Sequence, residues 1–77
     1  MAKNEFFEFL IAQAEKVELA IWEVVDAFDN GKDIDNNKCI ELRERASRIM
    51  ANAENKTQFK KLSRILDPAL HSLKSCA

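Results

Sequence analysis

Apolar side chains recur at alternating intervals of three and four along the first part of the chain: Phe7, Leu10, Ala14, Val17, Ile21, Val24 and Phe28. An α-helix turns once in about 3.6 residues, so this set forms one unbroken heptad stripe on a helix of about seven turns. A strand cannot share that spacing, because strand faces alternate every second residue. The first element is therefore a long helix with a narrow apolar ridge, and further helices with similar ridges must cover it. Asn4 reads as its N-cap, with Glu5 and Glu8 at the positive end of the helix dipole. Asn30-Gly31 supplies a left-handed residue to end it.

Two more stripes follow. Cys39, Leu42, Ala46, Ile49 and Ala53, with Met50 alongside, mark a second helix capped by Asp33 or Asp35. Glu41–Arg45 and Glu44–Arg48 are i,i+4 pairs in the favourable order along it. Asn55 reads as its stop and Thr57 as the next cap. Phe59, Leu62, Leu66, Ala69, Leu73 and Cys76 form the third stripe. Pro68 is the only proline, and it removes a backbone donor in the middle of that stripe. The heptad phase runs through it, which favours one helix kinked at Pro68 over a helix broken there. The chain of 77 residues, with a single glycine, has little punctuation beyond these links. The expectation is one all-α domain spanning 1–77, an elongated three-helix up-down-up bundle with helices over about 4–30, 36–54 and 58–75.

Charge is distributed unevenly. Residues 1–35 carry three basic and nine acidic groups, residues 36–77 nine basic and four acidic, and the net charge is −1. An acidic first helix facing basic partners explains this as complementary packing. The run Phe6–Ala12 is interrupted by Glu8 and is too short to cross a membrane, and it lacks a cleavage site. Two cysteines without a secretory signal favour a reducing, cytoplasmic setting.

Helix lengths carry the functional signal. If Phe28 lies opposite Cys39, Ala53 falls opposite about residue 14, and the second helix stops short of the first helix's opening turns. The excess is on the order of 15 Å. It leaves Phe6, Phe7, Phe9, Leu10 and Ile11 partly uncovered, and a third helix starting near Thr57 hides only some of them. Phe9, Leu19 and Trp22 add apolar surface away from the core stripe. The expected binding surface is therefore Phe6, Phe7, Phe9, Leu19 and Trp22, serving self-association as a homodimer or a different protein partner.

Other chemistries have weaker support. The segment 33–44 resembles an EF-hand loop, with Asp33, Asp35, Asn37 and Glu44 at positions 1, 3, 5 and 12 and Ile40 at 8. Lys38 replaces the glycine that such a loop needs at position 6, and no second loop pairs with it. Lys60, Lys61 and Arg64, with Arg43, Arg45 and Arg48, form the alternative patch for nucleic acid, without interleaved aromatics. Cys39, Cys76 and His71 lack a fourth zinc ligand, and His71 points away from Cys76 on the heptad. A Cys39–Cys76 disulfide is compatible with the helix order, though two packed thiols fit a reducing setting better. There is no Gly-rich phosphate loop and no carboxylate pair on a core face, so neither catalysis nor a cofactor is expected. The sequence thus reads as a non-enzymatic interaction module of the regulator, inhibitor or adaptor kind, with nucleic-acid binding and calcium response as alternatives.

Overall fold

The computed structural model describes residues 2–76, with side chains from Glu5 onward. It contains three helices, α1 (Ala2–Asp29), α2 (Asn36–Ala51) and α3 (Lys56–Cys76), and no strand among the described residues. The chain is all-α. At about 1.5 Å per residue, the 28 residues of α1 span about 42 Å. The molecule measures 45 × 17 × 17 Å, so α1 sets its long dimension and the other helices lie along it.

The core is the seam predicted from the three stripes. Leu10, Ala14, Val17, Ile21 and Val24 of α1 are buried against Cys39, Leu42, Ala46 and Ile49 of α2 and Leu62, Leu66, Ala69 and Leu73 of α3. No polar or charged residue is buried among those described. The seam fails only at its ends, where Phe28 and Phe59 are exposed although they continue their stripes.

Local chemistry explains the helix limits. α1 closes through Gly31 at φ 78°, where a side chain would be strained. The Lys32 amide donates to the Ala27 carbonyl at 2.9 Å and the Gly31 amide to the Phe28 carbonyl at 3.0 Å, the paired bonds of a Schellman cap. Asp35, one of the two expected caps, starts α2 by accepting the Asn37 amide at 2.9 Å.

Three boundaries differ from expectation. α1 begins at Ala2, which places Asn4 inside the helix rather than at its cap, because Ala2 and Lys3 are good helix formers and extend it backwards. α2 ends at Ala51, not near 54, and the Asn52 side chain donates to the Arg48 carbonyl at 2.8 Å. Asn55, not Thr57, caps α3: its side chain accepts the Gln58 amide at 2.9 Å, while Gln58 accepts the Glu54 amide at 2.9 Å. Asparagine and glutamine three residues apart thus make a variant of the capping box, and the helix starts at Lys56, one residue ahead of the threonine. α3 runs from Lys56 to Cys76 with Pro68 inside it, so the helix is not broken there.

Side-chain contacts fix the relative levels of the helices. Lys61 of α3 stands over the Phe7 ring of α1. The Ser63 hydroxyl donates to Met50 Sδ of α2 at 3.6 Å. At the other end, Ile34 and Lys38 share a cleft with Ala20, Val24 and Ala27. The link between α1 and α2 therefore folds back alongside α1 instead of reversing at its tip. α2 therefore begins further back along α1 than pairing Phe28 with Cys39 implies, which leaves Phe28 exposed.

Replacing Asn55 by Ala is expected to lower stability by about 1 kcal/mol in chemical denaturation, whereas Thr57→Ala leaves it within about 0.5 kcal/mol. Gly31→Ala is expected to cost about 1 kcal/mol through the left-handed backbone alone, since nothing lies within 4 Å of the added carbon.

Candidate protein-binding surface

Of the apolar residues beyond the seam, two clusters on α1 stand out. Phe6 is 43% and Phe9 56% exposed, and their rings stack with centroids 6.5 Å apart and planes 22° from parallel. Such an offset pair presents a rigid apolar edge at little entropic cost. Leu19 is 63% and Trp22 36% exposed. The Trp22 indole donates to Glu18 one turn back at 3.3 Å, which lays the ring along the helix.

These clusters are not one patch. Phe9 and Trp22 are thirteen residues apart, about 20 Å along the axis, and point to different sides of α1 at 100° per residue. Phe9 shares the side of Ala20 and Ala27, where α2 packs; Trp22 lies towards the side of Phe7, where α3 packs. The expectation of a single Phe9–Leu19–Trp22 side is corrected on that ground.

Phe7, expected as part of the surface, is half-buried against the core. The Lys61 ammonium lies 5.8 Å from its ring centroid, a cation–π contact that ties α3 to α1. Leu10 is only 3% exposed and Ile11 is half-buried, because α3 starts at Lys56 and covers that side of the overhang. The uncovered part is Phe6 and Phe9, on the side of α1 that α2 would cover were it longer. Phe59 joins them. It lies one turn before Ser63, on the side of α3 that faces α2, and is 47% exposed. Its stripe position hid it in the sequence; the signal that could have found it is the early stop of α2 before Asn55.

The alternative sites fare differently. Nine of the twelve positions in the segment 33–44 are helical in α2, so Glu44 stands on the third turn of a helix and cannot close a calcium loop. Asp35 is engaged as the cap, and no group of three or more His, Cys, Asp or Glu side chains among the described residues could hold a metal ion. The basic patch is split: Lys60 and Arg64 share the outer face of α3, while Lys61 turns towards α1. His71 is exposed on α3. A cleft of about 310 Å³ at the α1–α2 junction has Val24, Ala27 and Ile34 at its base and Glu23, Asp33 and Lys38 on its rim, without a nucleophile paired to a base. No helix among the described residues is long and apolar enough to cross a membrane.

No family model matches the chain, and no curated protein or solved structure matches it either.

Both thiols are free. Cys39 is buried in the seam, and Cys76 is half-buried with its Sγ donating to the Ser72 carbonyl at 3.6 Å. Partial burial, then the Asp29 carboxylate and Cys39, raise the Cys76 thiol above its ordinary range. A raised value means less thiolate at a given pH, hence slower alkylation. In the native protein, iodoacetamide is expected to label Cys76 more slowly than a free thiol at pH 8 and to leave Cys39 unlabelled until denaturation. Asp29→Asn is expected to speed Cys76 labelling at that pH. Peptide mass spectrometry reads both.

Proposed function

We propose that the protein is a non-enzymatic interaction module that binds a protein partner through the exposed apolar side chains of α1, acting as a regulator, inhibitor or adaptor. The observation that carries this reading is the Phe6–Phe9 stack, held on a long helix whose other apolar residues at that end are covered. Aromatic anchors beside a polar rim are the usual centre of a protein interface. Leu19 and Trp22 form a secondary contact, set among acidic residues such as Glu18 and suited to a basic margin on the partner.

The architecture supports this role. We read the helices as an up-down-up bundle with a bend at Pro68. The Lys61–Phe7 contact at one end and the influence of Asp29 on Cys76 at the other fit α1 and α3 running in the same direction. The links 30–35 and 52–55 are then simple reversals. A narrow bundle of this kind offers faces and edges rather than a deep pocket, which suits binding more than catalysis. Free cysteines fit a cytoplasmic setting.

The test is affinity capture from the cells that naturally make the protein, with wild type and a Phe6→Glu/Phe9→Glu variant as paired baits. The expected result is a protein retained by wild type and reduced at least tenfold with the variant, whose circular dichroism stays helical. Equal capture by both baits overturns the reading.

A further inference from the structure

We propose that Phe6, Phe9 and Phe59 form the contact face of a two-fold homodimer; this rests on the binding role of α1 and names its partner as a second copy of the chain. Phe6 and Phe9 lie on the side of α1 against which α2 packs, and Phe59 on the side of α3 that faces α2. All three therefore line the space in continuation of α2, beyond its end at Ala51. The link 52–55 fills part of this space through Ala53, which packs on the core. The three rings nevertheless stay exposed.

The charges beside the rings identify the occupant. Glu5, one turn before Phe9, is exposed on the α1 margin, and Lys56 and Lys60 are exposed on the α3 margin beside Phe59. The Phe7–Lys61 contact puts these margins at the same level. An apolar strip with an acidic margin on one side and a basic margin on the other is self-complementary. A two-fold axis along the strip, with the two bundles splaying apart from this end so that their α2 helices do not collide, exchanges its sides, so Glu5 of each protomer meets Lys56 and Lys60 of the other. A polyanion would be repelled at the α1 margin and a basic peptide at the α3 margin.

The area bounds the strength of the contact. Three rings of about 200 Å² each, about half exposed, offer about 300 Å² per protomer, against about 800 Å² per partner in a stable interface. The link and both margins must join the contact, and the dimer belongs to the small, dissociable class.

Sedimentation equilibrium from low micromolar to near-millimolar protein tests the proposal. Wild type is expected to dimerise reversibly. Glu5→Lys, and separately Lys56→Glu/Lys60→Glu, are expected to raise the dimer Kd about tenfold or more, each remaining helical by circular dichroism. Mixed in equal amounts, the two variants are expected to form a heterodimer with near-wild-type Kd, because every facing pair again has opposite sign. Rescue on mixing also excludes misfolding as the cause of either loss. A wild type monomeric throughout, or a mixture no tighter than its components, overturns the proposal. If that monomer still loses its captured partner on Phe6→Glu/Phe9→Glu substitution, the occupant is another protein and only self-pairing fails. If the substitution changes neither dimer nor capture, both readings fail.

Discussion

Three stripes of aliphatic side chains, one from each helix, meet along a common line, and the rest of the structure follows from how thin that line is. Its middle is built from Ala14, Ala46 and Ala69 together with Val17, Ile21, Leu42, Leu62 and Leu66. Small residues let the helices approach closely, and the larger ones interlock between them. A line one side chain wide has little interior for a polar residue; none is buried among the described residues, though the Nε of half-buried Arg43 is shut off from water. Burial is therefore the main source of specificity, and each helix is held by position along the line more than by directional bonds. The side-chain hydrogen bonds that do occur are mostly local, spanning two to four residues at caps and along helix faces.

A seam of this kind makes helix length decisive. α1 has 28 residues, α3 21 and α2 only 16, so the three-sided cross-section is complete only where α2 is present. Past Ala51 two helices remain, each still carrying the apolar side it would have turned to the third. That is why Phe59, in phase with four buried α3 residues, is exposed. The same residue type at position 7 is half-buried because it faces α3, which continues, rather than α2, which has stopped. Exposure here depends on the neighbour's length as much as on the residue's own phase.

Periodicity reaches some of this and not the rest. The helix count, the five central residues of the α1 stripe, the glycine that ends α1 and the Asp35 cap all depend on short-range spacing, which is written directly in the chain. The register between helices is not. Pairing Phe28 with Cys39 assumes that the chain reverses at the tip of α1, whereas residues 32–35 run back beside it and bring Ile34 against Ala20 and Val24. Nothing in a run of Lys, Asp, Ile and Asp distinguishes a tight reversal from a returning one, because the deciding interaction is Ile34 finding the flank of α1. Exposure follows the register: Phe6, Phe9 and Phe59 are exposed, Phe7 is half-buried and Leu10 is buried. Similarly, the letters of segment 33–44 fit a calcium loop until the cap at Asp35 starts a helix through most of it.

Packing alone does not account for what remains at the α2-free end. A residue that keeps more than 40% of its surface exposed returns little burial, and a helical aromatic also loses rotamer freedom against the preceding turn. Glutamate, lysine or alanine at positions 6, 9 and 59 would form the helix as well or better and keep the end soluble. Scattered single exposures need no cause, but these three gather beyond the end of one helix, and two are stacked on each other. An end shaped only for stability would be polar, whereas this one is aromatic.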